Sequence, residues 1–267
     1  MIPLGILAAA GAGGAVAPSF LTSAPLWLDA SDSATITQSS GSVSQWDNKG
    51  TLENFVQTTG ASQPTTNATT LNGLNVIDFA ADFMNGQTLA NWKFLSDGTD
   101  YFMAAVVKYG VVANPLTYYS LLGNNRGASA AIGVAFLYDD RAIIGNDAFN
   151  FSITRGVSGS PNTSILDVGF LQANSFFVQS ALLDPDASAA NRIEYFSNST
   201  QGTVNNSQTN APSASNPSYT IQLGSDGATT GVMTGSIAEL IVVSGSDATE
   251  TNRQATVDYL NAKWSVF

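Results

Sequence analysis

The chain has 267 residues, of which 44% are apolar and 11% are charged, and it carries a formal net charge of −11 at pH 7. Because the sequence contains no cysteine and no histidine, it excludes disulfides, thiolate metal sites, cysteine nucleophiles and any Ser-His-Asp mechanism. The acidic balance also argues against binding to nucleic acid and against insertion at an anionic membrane surface, since both favour clustered basic residues.

The amino-terminal segment MIPLGILAAAGAGGAVAPSF is apolar from Ile2 to Val16 and ends in small residues. An assembly arm, a strand of the domain and an export signal are all compatible with it. No Lys or Arg precedes the apolar run, which disfavours a signal peptide, and the run is too short and too rich in glycine to span a bilayer. We favour an extended apolar arm, residues 1–22, that lies against a partner or a neighbouring subunit. Its contact residues would be Ile2, Leu4, Ile6 and Leu7.

Strand-like runs follow the arm and are separated by clusters of Gly, Asn, Pro and Ser. Tyr101–Tyr109 is nearly all apolar and predicts a strand buried on both faces. No repeat of fixed period occurs, and the polar stretch 198–218 predicts a surface loop rather than a linker. We therefore predict one domain, residues 23–267. Its predicted strands are 74–79, 101–109, 118–122, 131–138, 141–144, 149–154, 165–170, 175–183, 191–197, 219–223 and 236–243.

One helix is predicted, in the final segment SDATETNRQATVDYLNAKW. Asp247 and Glu250 have the spacing of a capping box. Val257, Leu260 and Trp264 form an apolar stripe, which predicts that the helix packs on the edge or back of a sheet. The predicted fold class is an all-β antiparallel β-sandwich with a single C-terminal helix.

The first half of the chain resembles the opening of a known family. In LWLDASDSATITQSSGSVSQWDNKG, Leu26–Ala30 is followed by Trp46-Asp47 and by the polar turn 48–50. This segment resembles the opening of concanavalin A-like lectin/glucanase (laminin-G-like) domains, which occur in many phage and bacterial surface proteins. The later stretch QPTTNATTLNGLNVIDFAADFM is similar to the family's Gln-Pro pair and the apolar strand that follows it.

The end of the chain resembles the same family. Gly235–Leu240 matches its Gly-x-Ile-Ala-Glu strand, and Tyr259-Leu260 with Lys263-Trp264 matches the ending of its terminal helix. The resemblance covers roughly residues 24–79 and 218–266 and implies a concanavalin A-like jelly roll. It implies that Trp27 and Trp46 are packing residues. We expect Asp29 and Asp47 to accept hydrogen bonds from nearby backbone amides. The arm in turn is similar in style to the leaders of phage virion proteins.

Enzymatic activity is not predicted, although this fold hosts lectins, glycosidases and purely structural modules. A retaining glycosidase needs two carboxylates that project from one face. Asp139 and Asp140 are adjacent and would point to opposite faces of a strand, and Pro185 separates Asp184 from Asp186. None of the four glutamates has a carboxylate two residues away; they are Glu53, Glu194, Glu239 and Glu250.

The residue types are compatible with two kinds of binding site, a calcium site and a carbohydrate site. Carboxylates on the turns 138–147 and 182–188 make Ca²⁺ the one candidate cofactor, but neither turn has an EF-hand spacing, and we favour solvated turn aspartates over a calcium site. A carbohydrate site would combine aromatic faces with amides and carboxylates on adjacent turns. The alternative for these aromatic residues is packing in the core or at its rim. The candidates are Trp92, Tyr118, Tyr119, Tyr138, Asn124, Asn125, Asp139 and Asp140.

These observations predict a non-enzymatic structural protein of a bacteriophage virion, either a tail or fibre component or a capsid decoration. We expect it to assemble in the host cytoplasm as a homo-oligomer and to contact other virion proteins through the arm. A host-surface glycan is a further candidate partner. The alternative is a secreted bacterial carbohydrate-binding module.

Overall fold

The computed structural model describes residues 15–86, 88–110, 118–125, 130–139, 148–157, 173–187, 192–203, 210–227 and 231–267. Several predictions concern residues outside these ranges. They are the four arm contacts Ile2, Leu4, Ile6 and Leu7, the candidate site residue Asp140, and the strands predicted at 141–144 and 165–170.

The fold is mostly β, and sixteen strands lie in the described residues. Nine of the predicted strands overlap the observed ones, whereas the polar strands near residues 36–46 and 65–71 were not predicted. The strands are β1 (Leu26–Asp29), β2 (Ile36–Ser39), β3 (Ser42–Trp46), β4 (Phe55–Val56), β5 (Thr65–Leu71), β6 (Leu74–Asp82), β7 (Met84–Asn85), β8 (Tyr101–Tyr109), β9 (Tyr118–Gly123), β10 (Ile132–Asp139), β11 (Ala148–Arg155), β12 (Phe177–Leu183), β13 (Ile193–Ser197), β14 (Thr200–Gln201), β15 (Gln222–Leu223) and β16 (Met233–Ser244). Short 3₁₀ helices lie at Ser19–Ser23, Ser33–Thr35, Gly60–Ser62, Leu89–Leu95 and Gly245–Asp247.

Hydrogen bonds join these strands into one antiparallel sheet, in the order β11-β10-β9-β15-β7-β4-β3-β5-β6-β16-β8-β12-β13-β14, with β1 beside β16 and β2 beside β3. The sheet folds over itself. Tyr101 on β8 meets Phe151 on β11 at a ring-centroid distance of 6.3 Å, and Tyr109 on β8 stacks on Tyr138 of β10 at 4.9 Å. The β8-β12-β13 layer therefore faces the β9-β10-β11 layer, and the predicted antiparallel β-sandwich is confirmed.

Two apolar clusters stabilise the sandwich, and β8 contributes to both. Its alternate residues Tyr101, Met103 and Ala105 face the interior between the layers. Phe102 and Ala104 face the opposite side, where they pack with residues of the C-terminal helix. This explains why the segment is apolar at nearly every position, since both faces of a strand covered in this way are removed from water.

The C-terminal helix α1 (Glu250–Trp264) covers the outer face of the sheet. The buried stripe of Val257, Leu260 and Trp264 confirms the predicted packing on the back of the sandwich. The predicted cap is wrong by two residues, because Thr249, not Asp247, is the N-cap and its side chain accepts from the amide of Asn252. None of the helices in the described ranges has the length and hydropathy that a membrane crossing needs.

The described part of the apolar arm, residues 15–22, lies on the same outer cluster. Leu21 is fully buried, and Ala15, Ala17 and Phe20 are partly buried against this cluster. This part of the arm therefore adds to the packing beside α1 and leads the chain into β1.

Candidate functional site

The structure does not present the predicted carbohydrate residues as an exposed aromatic face. Trp92 and Tyr138 are fully buried, and Tyr119 is 9% exposed. The indole N–H of Trp92 donates to Oε1 of Glu53 at 2.9 Å, which fixes the ring in the core. The expectation that these three rings are available to a sugar is wrong, because the folded sheet places them in the interior.

Three tyrosine rings stack in a row inside the sandwich. Tyr138 lies between Tyr109 at 4.9 Å and Tyr119 at 6.3 Å, with interplanar angles of 19° and 15°. The hydroxyl of Tyr109 donates to Gln179 at 2.7 Å. Tyr118 is half-buried, and its hydroxyl donates to Asp226 at 3.0 Å. The row is a packing element that joins β8 to β9 and β10.

The amide and carboxylate candidates on neighbouring turns are buried as well. Asn124 accepts from the amide of Val134 at 2.7 Å through Oδ1, and Asn125 donates to the Ser152 carbonyl at 3.4 Å. Asp139 is also fully buried. These side chains bond to neighbouring strands, so they stabilise the sheet and do not project into solvent.

A buried network of hydrogen bonds forms around the carboxylate of Glu239 in β16. The sequence analysis did not select Glu239 as a site residue. Glu239 is fully buried. Its Oε1 accepts from Trp27 Nε1 at 2.7 Å and from the Tyr259 hydroxyl at 2.9 Å. Its Oε2 accepts from Lys263 Nζ and Trp264 Nε1, each at 2.7 Å. Four donors from β1 and α1 thus converge on one carboxylate.

Asp29 is the strand partner of Glu239, because β1 pairs with β16 in this register. Oδ1 of Asp29 accepts from Lys263 Nζ at 2.7 Å and from the amide and hydroxyl of Ser31 at 3.1 and 2.6 Å. Oδ2 accepts from Lys49 Nζ at 3.1 Å. Lys263 therefore bridges the two carboxylates, and we call Asp29, Glu239, Lys263 and Lys49 the ionic cluster.

Burial acts on both carboxyl groups, but with different net results. At Asp29 burial alone would raise the pKa, but Lys263, Ser31 and Lys49 together hold the pKa below its ordinary value of 3.8. At Glu239 burial and then the negative charge of Asp29 raise the pKa above its ordinary value of 4.5, against the opposing effect of Lys263. Asp29 is thus the more strongly stabilised anion of the pair.

A cleft of about 600 Å³ opens over the ionic cluster. Its charged lining consists of Asp29, Asp32, Lys49 and Lys263, and Lys49 also contacts Asp32 at 3.0 Å and lies 4.6 Å from the Trp27 ring centre. Ser31 and Asn72 add further polar groups, whereas Ala15, Ala17, Trp27, Leu74, Tyr259 and Ala262 complete the wall. A site of this size with mixed lining is typical of small-molecule binding.

The turn 48–50 gives Lys49 its position. Asn48 accepts from the amides of Trp27 and Gly50 and donates to the carbonyls of Pro25 and Leu52, all at 2.8–2.9 Å. A Cβ at Gly50 would lie 2.3 Å from the Ala24 carbonyl oxygen, so the close approach requires glycine there. The cleft wall is therefore preformed.

The structure agrees with some of the other predictions for this region and differs from others. Trp46 is fully buried, as predicted for a packing residue, and Trp27 is 9% exposed at the cleft wall. Asp29 does bind the nearby Ser31 amide, whereas the side chain of Asp47 accepts from the Gln45 amide group at 2.6 Å. In the described ranges no group of three or more His, Cys, Asp or Glu residues is arranged to hold a metal ion.

The ionic cluster predicts an acid-sensitive term in stability. The pKa of Asp29 is lower in the folded state than its ordinary value of 3.8. Ionised Asp29 therefore stabilises the fold above about pH 3.8, and this stabilisation is lost as the pH falls through the lower pKa of the folded state. We expect Asp29→Asn to remove this term. Denaturant unfolding at about pH 6 and about pH 3 would measure it, and the free-energy difference between the wild type and Asp29→Asn should shrink at the lower pH. An equal difference at both pH values would contradict the assignment.

Comparisons with known proteins give the fold. Neither a scan against protein-family models nor a search of curated proteins found a match. Among solved structures, a mutant GH54 α-L-arabinofuranosidase matches at 14% identity and a TM-score of 0.53, over 93% of this chain and 61% of that chain. The chain therefore shares a β-sandwich fold with part of that enzyme.

Two further matches have lower TM-scores. The CBM40 module of the Ruminococcus gnavus IT-sialidase, bound to α2,3-sialyllactose, matches at 13% identity and 0.42, over 62% of this chain and 83% of that one. Trypanosoma rangeli sialidase matches at 13% identity and 0.48, over 88% of this chain and 32% of that one. This chain thus spans about a third of the sialidase.

Proposed function

We propose that this chain is a non-enzymatic structural protein of a phage virion whose lectin-like sandwich contacts a host-surface glycan through the cleft. The observation that carries the non-enzymatic part is the hydrogen bonding of Asp29, which lines the cleft, and of Glu239, which is buried beneath it. Asp29 and Glu239 each accept four hydrogen bonds from the protein's own donors. A glycosidase needs one carboxylic acid to protonate the leaving oxygen and one carboxylate to attack or to activate water. Neither role suits a carboxylate already bonded on both oxygens.

The charge around the cleft disfavours an anionic ligand. Its two lining carboxylates, Asp29 and Asp32, match the two ammonium groups of Lys49 and Lys263 in number. Lys263 also pairs with the buried carboxylate of Glu239, so no positive charge is left to select an anion. The apolar wall suits the C–H faces of a sugar, and the polar groups suit its hydroxyls. A neutral saccharide is therefore the ligand class that the cleft fits.

A bulky side chain at Ala262 tests the cleft. Ala262 is exposed on α1 and lines the cleft, but it takes no part in the ionic cluster. We expect Ala262→Phe to weaken binding to neutral host-surface polysaccharides at least about tenfold on a glycan array, because the ring would occupy the cleft. The matched control is Thr251→Phe, at an exposed position of the same helix that does not line the cleft.

Two outcomes of this experiment would contradict the proposal. Equal binding by Ala262→Phe and the wild type would place any glycan contact elsewhere. Release of reducing sugar from a bound polysaccharide by the wild-type chain would show that the domain is an enzyme.

The virion part of the proposal is supported by the apolar arm and by the sequence resemblance to phage domains. In this account Ile2, Leu4, Ile6 and Leu7 of the arm contact other virion proteins, while residues 15–22 pack on the domain itself. The chain assembles as a homo-oligomer. The alternative remains a secreted bacterial carbohydrate-binding module. Recovery of the chain from culture medium without roughly its first 20 residues would favour that alternative.

A further inference from the structure

A second pocket, of about 160 Å³, opens at the end of the sandwich where β11 and β12 end and β13 begins. It shares no lining residue with the cleft. Two arginines line it, Arg155 at the last position of β11 and Arg192 just before β13. The chain has a net charge of −11 and only nine basic residues, yet two guanidinium groups lie side by side here. Arg192 has protein partners, among them the carbonyl oxygen of Ala187, to which its Nε donates at 3.2 Å, so the group that requires an explanation is Arg155.

Arg155 occupies a position that the pattern of its strand assigns to the core. Phe149, Phe151 and Ile153 alternate along β11 and belong to the interior cluster between the layers. Arg155 continues the same alternation, and it is only 9% exposed. A charged side chain at an inward-facing position is costly unless a partner compensates it.

The protein compensates Arg155 only in part. Nη1 donates to the carbonyl oxygen of Asn210, and Nε is buried and has no hydrogen-bond partner in the part of the chain that the structure describes. Arg155 has no ion pair with a carboxylate among the described residues. Burial lowers the pKa of Arg155, and the positive charge of Arg192 acts in the same direction, whereas Tyr101 and the carboxylate of Asp97 oppose this shift only in part. A bound anion would relieve both effects.

Apart from the two arginines and Asn210, the lining of the pocket is apolar, and part of it is held in place. Pro185, Ala211 and Pro212 line it together with Leu183. A Cβ at Gly98 would lie 2.8 Å from Pro212, and the amide of Ser213 donates to the Ser96 carbonyl at 3.0 Å. The pocket therefore combines a cationic side with a preformed apolar side, which suits an organic anion better than a fully hydrated inorganic one.

We propose that this pocket binds the carboxylate of a small organic acid, such as an acidic monosaccharide, with Arg155 as the main ligand. The planar guanidinium group offers parallel N–H donors that match the two oxygens of a carboxylate. Arg192 adds a second positive charge, and the proline and alanine side chains cover the carbon skeleton. This site is independent of the neutral saccharide proposed for the cleft.

Thermal unfolding of the full chain with sodium D-glucuronate tests the site. We expect a saturable rise in Tm for the wild type and no rise with D-glucose, which lacks the carboxylate. Arg155→Met should lose the rise. This variant should still fold, because methionine removes the cost of burying an incompletely compensated charge. Lys108→Met, which removes a cation outside the pocket, and Ala262→Phe should both keep the rise.

Three results would overturn the proposal. One is the absence of a saturable rise in the wild type, and another is an equal rise in Arg155→Met. The third is an equal rise with sodium sulfate at matched ionic strength, which would show a general salt effect rather than recognition of an organic carboxylate. Because Ala262→Phe is included, failure here is distinguishable from failure of the cleft proposal.

Discussion

Lys263→Met is expected to lower the free energy of unfolding by about 3–5 kcal/mol, the range for removing one partner of a buried ion pair. Lys263 Nζ lies 2.7 Å from both Asp29 and Glu239, whose side chains are 6% and 0% exposed. Without it, two neighbouring carboxylates are left in the protein interior with one cation, Lys49, bound to only one of them. The remaining donors to Glu239 are neutral, so they cannot balance its charge.

Denaturant unfolding at neutral pH measures this effect. The matched control is Lys93→Met, because the Lys93 ammonium makes no ion pair with a described residue and should be nearly neutral to replace. Adding Glu239→Gln to Lys263→Met should restore part of the loss, since it removes one uncompensated charge. A loss below about 1 kcal/mol, the value of an exposed ion pair, would show that water reaches the cluster.

Trp46→Ala is the second substitution with a large expected effect. It should lower the free energy of unfolding by about 3–5 kcal/mol, because it leaves a cavity in the core. Trp46 is fully buried in the interior cluster between the layers. Its indole N–H has no acceptor among the described residues, so the ring acts through packing alone. This is the role that the sequence resemblance implied for it.

Phenylalanine at the two indole positions separates packing from hydrogen bonding. Trp46→Phe should cost less than Trp264→Phe, because Trp264 also donates to Oε2 of Glu239 at 2.7 Å and its loss leaves a buried carboxylate short of a donor. Equal losses in the two variants, measured by denaturant unfolding, would mean that the Glu239 hydrogen bonds add little to stability.

The strands that could be predicted are those whose own residues show a clear apolar pattern. Tyr101–Tyr109 was predicted with its observed bounds, because a nearly continuous apolar run fits a strand covered on both faces. Thr65–Leu71 was missed. Four of its seven residues are threonine, four of its seven positions are exposed, and Asn67 has a φ of 68° where the register with β6 shifts. Its pairing is set by neighbouring strands and not by its own composition.

The candidate site was harder to predict, because it is assembled from distant segments. Asp29 and Glu239 are 210 positions apart, and only the pairing of β1 with β16 places them side by side. The available signal was the resemblance itself, whose opening and closing motifs contain Trp27, Asp29, Glu239 and Lys263. Those motifs were interpreted as fold markers, and the structure shows that they meet in one cluster beneath the cleft. The aromatic and amide candidates were chosen by residue type near turns, which does not reveal burial.

Immunogold labelling of phage particles purified from the source culture, with antibody against residues 23–267, tests the proposed virion role most directly. A virion protein that contacts a host glycan should be labelled on the tail or its fibres. Label over the capsid would retain a structural role but contradict the glycan contact. The absence of label on every particle would contradict the proposal that this chain is a virion protein.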